Sequence, residues 1–325
     1  MDSQPIRIFI GSGPRNFVEE RVLVHTLQKH STSRLEINVI DGATGAVTFS
    51  NGEVKRLPTN LVGRVSGATA FSTARYAIPE WCDYRGRAIY CDSDQVVLTD
   101  ISELWNYDLS GRAVAAVPVK KASCSAHFAN AFLKRLIDSE DNYYLTSVML
   151  IDCAATPAWN LGTIIEKLDE NQYSYLEMMF LGKRFIDQFG TSVKDLPSEW
   201  NHLDILLGDT KLVHFTDLTS QPWLSHINRV AETWEKCFLE AIDRGALSLA
   251  DIDQAYHEGM ISTRIRVLPR VNRKIAHPVN SLWRSLEGSR FLLFRYLKNT
   301  AIAAGVNLRR ITRSHSLRHD GLTEE

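Results

Sequence analysis

Short apolar runs and amphipathic helical segments alternate along the first part of the chain. Residues 6–10 and 35–40 are apolar runs, and between them residues 17–27 place their apolar side chains on one face of a helix. This order predicts a β-α-β unit, the usual opening of an α/β protein with a parallel sheet. Later runs of the same kind predict further strands at residues 88–91, 113–119, 147–152 and 211–215.

The periodicity becomes helical after Trp223. We expect helices at residues 231–244 and 248–258, each ended by a glycine, and a third at residues 280–300. From about residue 307 the chain is polar and rich in arginine, which predicts a frayed tail. The sequence therefore predicts an α/β domain over residues 1–224 and a helical, basic extension over residues 225–325.

Composition and charge narrow the class of protein. Of the 325 residues 44% are hydrophobic, which is enough for a substantial core, and the net charge of −1 gives no reason to expect nucleic acid as a partner. The charge is uneven, however, because residues 262–318 contain 13 Lys and Arg against one acid, Glu287. Such a region is usually a solvated face, and the alternative is a docking surface for anionic lipid or an acidic partner.

The cysteines and the first residues indicate a reduced compartment. Five cysteines without C-x-x-C spacing predict reduced thiols, neither a zinc site nor a disulfide framework. The first residues lack the basic start and long apolar stretch of a signal peptide, and no run approaches the 18 or so apolar residues of a membrane span. We therefore expect a cytoplasmic protein, with peripheral membrane contact as the alternative for its basic region.

Two carboxylates follow the predicted strand at residues 88–91. Asp92 and Asp94 fall where the strand opens into a loop, at the sheet edge where open α/β folds bind ligands. Paired carboxylate oxygens suit Mg²⁺ or Mn²⁺ shared with the phosphates of a substrate. A solvated turn rich in aspartate would have the same sequence, so the motif alone leaves both interpretations open.

Several segments together resemble glycosyltransferases of the GT-A fold, specifically the retaining enzymes of family 8. A D-x-D motif alone is weakly specific, but here an H-F pair and a P-W pair follow it at the distance typical of that family. The resemblance implies a Rossmann-like mixed sheet flanked by helices over about the first 224 residues. It is carried by residues 6–11, Thr73-Ala74-Arg75-Tyr76, Asp92-Ser93-Asp94, residues 147–152, residues 196–201, His214-Phe215 and Gln221-Pro222-Trp223.

The resemblance also implies an activity and a set of site residues. The activity is metal-dependent transfer of a sugar from a nucleotide-diphosphate sugar, a UDP-sugar in the first instance, to an unknown acceptor hydroxyl, as in hexosyltransferases. Asp92, Asp94 and His214 would bind Mn²⁺ or Mg²⁺. The other implied residues are Gly11, Ser12, Ser93 and Arg75 on the nucleotide or diphosphate side, Ser147, Trp200 and Trp223 at the sugars, and Glu177 with Arg75 as catalytic groups.

Retention of the anomeric configuration leaves two routes. A carboxylate nucleophile would be Glu177, which aligns with an acidic position near the donor sugar in such enzymes. The other route is front-face attack by the acceptor hydroxyl as the diphosphate leaves. We favour the second, because it requires of the protein mainly positioning and charge stabilisation.

The sequence departs from the family pattern in three places, which indicates a divergent branch. Ser12-Gly13-Pro14 lacks the usual acid or Asn after the first strand, and Leu145-Thr146-Ser147 replaces Asn-x-Gly. Against the usual H-x-x-G-x-x-K-P-W motif, and with one extra residue in this chain before P-W, Asp217 replaces the glycine and Gln221 replaces the lysine.

Two other functions fit part of the sequence. The run from residue 88 to 98 also matches a haloacid-dehalogenase-like phosphatase motif, in which Asp92 would be the nucleophile and Asp94 the general acid. That motif normally lies on the first strand, whereas a complete β-α-β unit precedes it here. The substitutions at Asp217 and Gln221 also fit a non-catalytic protein that binds sugar nucleotides on the same fold.

Overall fold

The computed structural model of the protein describes residues 4–58, 60–61, 71–125, 131–225 and 227–271. The helix predicted at residues 280–300, the frayed tail and most of the basic region lie outside these residues. The strands are β1 (Ile6–Ser12), β2 (Leu35–Asp41), β3 (Ala46–Thr48), β4 (Val54–Arg56), β5 (Arg87–Asp92), β6 (Gln95–Val97), β7 (Val114–Pro118), β8 (Tyr144–Asp152), β9 (Val193–Asp195), β10 (His202–Leu203) and β11 (Leu212–His214).

Helices connect the strands and follow them. They are α1 (Phe17–His30), α2 (Ile78–Trp81), α3 (Ser102–Trp105), α4 (Ala131–Ile137), α5 (Leu161–Asp169), α6 (Tyr175–Met179), α7 (Lys183–Phe189), α8 (Ala231–Asp243), α9 (Leu249–His257) and α10 (Thr263–Val267). A 3₁₀ turn, Ala74–Ala77, leads into α2. In this part of the chain no helix has both the length and the apolar character needed to cross a bilayer.

A mixed sheet of eight strands lies at the centre, in the order β4-β3-β2-β1-β5-β8-β7-β9. Strand β1 pairs in parallel with both β2 and β5, and β8 pairs antiparallel with β5 and β7. A second sheet has the order β10-β11-β6. The predicted α/β class and mixed sheet are therefore confirmed.

The central strand β5 is apolar on both faces because each face meets a different core. Ala88 and Tyr90 lie in one hydrophobic cluster. Ile89 and Cys91 lie in another. Successive side chains of a strand point to opposite faces, so a sheet covered on both faces requires a continuous apolar run. This burial on both faces explains why the sequence has a continuous apolar run before Asp92, where the strand ends.

The helices after residue 224 pack against the first helix. Val18 and Val22 of α1 share a hydrophobic cluster with Trp234 and Phe238 of α8. The helices predicted at residues 231–244 and 248–258 are found as α8 and α9. Each is followed by a glycine with positive φ, which favours a residue without a side chain. Apolar side chains from both sides of residue 224 therefore pack together, and the predicted domain boundary stays a prediction.

The arginines of α10 and the following turn have acidic partners. Arg264 donates from Nη1 to Glu235 Oε1 at 2.5 Å and from Nη2 to the carbonyl of Pro222 at 2.7 Å. Both charged side chains are almost fully buried. Arg266 and Arg270 both pair with Asp253. These three members of the predicted basic region therefore serve intramolecular ion pairs.

Glu19 is a buried carboxyl on the first turn of α1. It is 2% exposed, and its Oε1 accepts a hydrogen bond of 2.8 Å from Asn16 Nδ2, whereas Oε2 has no hydrogen-bond partner. Burial and, to a smaller extent, the nearby charge of Asp94 raise the pKa of Glu19 to about 8, against the hydrogen bonds that lower it. The carboxyl is therefore mainly protonated at neutral pH.

We expect Glu19→Gln to change the pH dependence of stability. The folded protein keeps this proton between the usual carboxyl pKa of 4.5 and about 8, whereas the unfolded chain loses it. The wild-type protein therefore loses stability as the pH rises through this window. Relative to wild type, Glu19→Gln should gain about 2–4 kcal/mol between pH 5 and pH 8.5 in urea unfolding. Equal changes in the free energy of unfolding with pH in wild type and Glu19→Gln would contradict a protonated Glu19. The control is Glu166→Gln, because Glu166 is exposed.

Glu235→Ala should destabilise the fold strongly, because it leaves the buried Arg264 guanidinium without its acid. We expect the free energy of unfolding to fall by about 3–5 kcal/mol, as a lower urea midpoint with an unchanged slope. Lys121→Ala is the matched control, because its ion pair with Asp195 is exposed and should leave the midpoint unchanged. Similar urea midpoints for both variants would show that the buried ion pair stabilises the fold no more than the exposed one.

Candidate active site

Two sheets bring the predicted metal ligands together. Strand β5 ends at Asp92, and β6 begins three residues later at Gln95. Strand β11 pairs antiparallel with β6 so that His214 lies opposite Gln95. The backbone N–H of Phe215 donates to the carbonyl of Asp94 at 2.9 Å, which holds the end of β11 beside the D-x-D loop. His214 thus reaches the aspartates from a distant part of the sequence.

The side chains of Asp92, Asp94 and His214 form one compact donor set. One ligand atom from each residue lies within 4.8 Å of the others, and His214 Nε2 is 3.0 Å from Asp94 Oδ1. An octahedral ion with ligands at about 2.1 Å places adjacent donor atoms about 3 Å apart. Two carboxylates and an imidazole are also suitable ligands for Mn²⁺. The residues therefore fit a divalent cation, and its binding stays a prediction.

A buried amide orients the histidine. Asn201 is 0% exposed, and its Oδ1 lies 3.2 Å from His214 Nδ1, while its Nδ2 donates to Ser147 Oγ at 2.9 Å. The carbonyl of Ser147 in turn accepts a hydrogen bond from Gln95 Nε2. An amide oxygen at Nδ1 favours the proton on that nitrogen and leaves Nε2, on the aspartate side, free to act as a ligand.

Arg75 and Tyr90 hold the other carboxylate. Asp92 Oδ1 accepts hydrogen bonds from Arg75 Nη2 at 3.2 Å and from Tyr90 Oη at 2.5 Å. The guanidinium lies over the Tyr90 ring, 4.6 Å from its centroid, and donates from Nη1 to Thr146 Oγ1 at 2.7 Å. Arg75 is only 3% exposed. The predicted proximity of Arg75 to Asp92 is therefore found.

The charged groups of the site shift one another's pKa values. Burial raises the pKa of Asp92, against the opposing effect of the Arg75 guanidinium. Burial alone would lower the pKa of His214, but the neighbouring Asp94 carboxylate outweighs it, and the net pKa is raised. The pKa of Arg75 is also raised, because Asp92 and the surrounding tyrosines outweigh its burial. The charge of Asp94 thus favours the protonated form of His214, and a divalent cation would take the place of that proton.

Gly11 and Ser12 are the last two residues of β1. A Cβ atom at Gly11 would lie 2.3 Å from Tyr90 Oη and 2.5 Å from the Phe71 ring. The absent side chain therefore makes room for Tyr90, and the predicted place of Gly11 on the nucleotide side is untested. The Ser12 hydroxyl donates to Glu20 at 2.6 Å, and the backbone N–H of Ser93 donates to the Gly11 carbonyl.

Glu177 caps a helix. It forms a capping box with Ser174 at the start of α6, in which each side chain accepts from the other residue's backbone N–H. Its oxygens also accept hydrogen bonds from the backbone and side chain of Arg184. Burial would raise the pKa of Glu177, but these hydrogen bonds lower it overall. The contacts account for both oxygens structurally, and the predicted catalytic role is untested.

Trp200 and Trp223 are core residues. They are 2% and 3% exposed, and each lies in a hydrophobic cluster. A ring that stacks on a sugar must present a face to it. This burial corrects the interpretation of the two indoles as walls of a sugar site. Ser147, predicted to contact substrate, is 8% exposed and belongs to the Asn201 network described above.

The segment after His214 is fixed by a buried aspartate that the sequence analysis missed. Asp204 Oδ2 accepts hydrogen bonds from the backbone N–H groups of Thr216 and Asp217, and its Oδ1 accepts one from Asn228. Gln221, which replaces the family's lysine, turns inward and donates to the carbonyl of Phe215. The roles of Tyr90, Thr146 and Asn201 were missed as well. The only signal for them was proximity in sequence to the motifs.

Comparisons with known proteins give the family of the chain. A family model described as Glycosyl transferase family 8 matches residues 66–236. Protein CDI of Arabidopsis thaliana is 33% identical over 239 residues, which are 73% of this chain and 83% of that protein. Probable galacturonosyltransferase-like 6 of the same plant is 24% identical over 240 residues, 63% of each protein.

A solved structure gives the same fold. The galactosyltransferase LgtC in complex with donor and acceptor sugar analogs matches with a TM-score of 0.54, over 74% of this chain and 100% of that chain. At 13% identity this similarity concerns the fold alone.

The mixed sheet with flanking helices is thus a GT-A-type fold. The chain belongs to glycosyl transferase family 8, because the family model covers more than half of it and Protein CDI is similar over most of its length. The chain spans less than two thirds of the galacturonosyltransferase relatives, 45% of probable galacturonosyltransferase-like 10 and 63% of probable galacturonosyltransferase-like 6.

We expect Asn201→Ala to weaken Mn²⁺ binding, because the imidazole of His214 loses the group that orients it. Calorimetric titration should show an affinity lower by about 10–100-fold. Asn201→Asp keeps an oxygen acceptor at Nδ1 and should retain more of the affinity. Wild-type affinity in Asn201→Ala, with an unchanged melting temperature, would show that Asn201 does not orient the ligand.

Proposed function

We propose that this protein is a metal-dependent, retaining glycosyltransferase of the hexosyltransferase type with a nucleotide-diphosphate sugar as donor. The observation that carries the proposal is the cluster of Asp92, Asp94 and His214 at the sheet edge, in a chain of this family. The names of similar proteins include galacturonosyl and galactosyl transfer, so UDP-galacturonic acid and UDP-galactose are the first donors to test.

Three residues of the site would bind the cation, and two others hold one of these ligands in position. Asp92, Asp94 and His214 would bind Mn²⁺ or Mg²⁺, which when bound supplies positive charge to stabilise the departing diphosphate. Arg75 is too buried to offer the donor a broad contact, and its bonds to Asp92 and Thr146 support a role in fixing the Asp92 carboxylate. Tyr90 supports the same oxygen from the other side.

Front-face transfer is the route that the contacts favour. Both oxygens of Glu177 are engaged as a helix cap and with Arg184, so this carboxylate lacks the freedom expected of a nucleophile. The acceptor hydroxyl would then attack on the face from which the diphosphate departs. The chain's part is to orient the ligand set through Asn201 and to hold Asp92 through Arg75.

The two alternative functions differ in support. A haloacid-dehalogenase-like phosphatase would carry its D-x-D on the first strand, whereas here it follows β5, next to an antiparallel strand. Non-catalytic binding keeps one specific argument, because Gln221, at the position of the family's lysine, donates its side-chain amide to the backbone carbonyl of Phe215. Turnover therefore has to be measured directly.

Full-length protein with Mn²⁺ and a panel of UDP-sugars should slowly hydrolyse its preferred donor and release UDP. Asp94→Asn removes a charged member of the donor set, so we expect its rate to fall at least about 100-fold. Asp187→Asn, an exposed aspartate of α7, is the matched control and should keep the wild-type rate.

Two outcomes would contradict the proposal. Donor binding, detected as a raised melting temperature with UDP-sugar and Mn²⁺ but without any release of UDP on prolonged incubation with added glycan acceptors, would favour the non-catalytic function. Release of phosphate from a phosphate ester by wild type, abolished by Asp92→Asn, would favour the phosphatase.

A further inference from the structure

A cavity of about 610 Å³ lies between the second half of α1 and the end of α8. Three of its lining residues belong to α1, and the other three belong to the last turn of α8 and the residue that follows it. Among the described residues the lining consists of His25, Gln28, Lys29, Glu240, Asp243 and Arg244. The candidate active site contains none of these six, so the cavity is a separate site on the molecule.

An ion pair joins the two walls of the cavity. Lys29 Nζ on α1 donates to Glu240 Oε2 on α8 at 2.6 Å. Burial would raise the pKa of Glu240, but the hydrogen bond and the charge of Lys29 lower it overall, so this group is a carboxylate at neutral pH. An ammonium group has three donors, and each carboxylate oxygen can accept more than one hydrogen bond. Both members of the pair therefore keep capacity for hydrogen bonds to a ligand.

His25 adds a buried nitrogen to the same wall. The residue is 7% exposed, and its Nε2 has no hydrogen-bond partner among the described residues, because Glu240 Oε2 lies 3.9 Å away. The pKa of His25 is lowered, since burial and the charges of Lys29 and Arg244 outweigh that of Glu240, and the imidazole is therefore neutral at pH 7. Buried polar atoms nearly always have a partner in folded proteins. An unpartnered nitrogen in the wall of a cavity thus indicates a ligand with hydrogen-bonding groups.

The charges around the cavity balance one another. Its two cations, Lys29 and Arg244, are matched by its two acids, Glu240 and Asp243, and the other two side chains are neutral. A neutral ligand keeps this balance, whereas a charged one would not. Small-molecule sites are mostly lined by apolar and aromatic side chains, but every side chain named here can form hydrogen bonds. The lining therefore suits a ligand with many hydroxyl groups, each of which both donates and accepts.

We propose that the cavity between α1 and α8 binds a short uncharged saccharide of about two or three units, a size that suits a cavity of several hundred Å³. Its hydroxyl groups would contact the Lys29–Glu240 pair and Arg244, and a hydroxyl can satisfy His25 Nε2 whichever nitrogen of the ring carries the proton. The chain belongs to a family of glycosyl transferases, so saccharides are the ligands it encounters. The proposal concerns binding at a second site and includes no reaction step.

The test uses maltotriose, xylotriose and galactotriose as probes, with the full-length protein and without Mn²⁺ or UDP-sugar. Saturation-transfer difference NMR should detect binding of at least one of them, and a titration should give its dissociation constant. Arg244→Ala and Lys29→Ala each remove a charged donor, so this constant should rise by about 10-fold or more. Both side chains are exposed, so both variants should fold with melting temperatures close to that of the wild type.

Two further variants separate this cavity from the rest of the molecule. Lys236→Ala is the matched control, because Lys236 is an exposed lysine of α8 that does not line the cavity, and it should bind the saccharide as the wild type does. Asp94→Asn should also bind it normally, whether or not the proposed transferase activity is found. No binding of any probe, or an unchanged dissociation constant in both Arg244→Ala and Lys29→Ala, would overturn the proposal. Loss of binding in Asp94→Asn would also overturn it, because the saccharide would then occupy the candidate active site.

Discussion

The pairing of β6 with β11 is the constraint on which the site depends. Strand β6 continues directly from the D-x-D loop, and its antiparallel register with β11 sets His214 opposite Gln95 and Phe215 against Asp94. A shift of one residue would turn His214 to the other face, because side chains alternate along a strand. The backbone hydrogen bonds between β6 and β11 thus bring the ligand side chains together.

Burying these charged groups costs stability, and the surroundings reduce that cost. Asp92 is raised in pKa by burial, yet two donors, Arg75 and Tyr90, satisfy one of its oxygens. Arg75 in turn has Thr146 and the ring of Tyr90. Each contact satisfies a group that would otherwise be buried alone, and each also fixes a position at the site. Stability and function therefore rest here on the same hydrogen bonds.

The sequence predicted the parts of the structure that depend on pattern. Apolar runs identified the central strands, because they are covered on both faces, and Asp92 and Asp94 stood at a strand end. The sequence could not show which contacts each of these side chains makes in the folded protein. The sequence did not show that the missing side chain of Gly11 makes room for Tyr90, or that Trp200 and Trp223, predicted at the sugars, are buried in hydrophobic clusters. Asn201 and Asp204 act through contacts between distant segments, which no local pattern contains.

The donor set is divided between two sheets. Asp92 ends a strand of the large sheet, His214 belongs to the small one, and Asp94 lies in the connection. The spacing of the three ligand atoms, and with it the size of the ion that would fit, therefore depends on how the two sheets pack together. A preference for one metal over another would then depend on the packing between the two sheets. Substitutions in that packing could change the preference and leave every ligand unchanged.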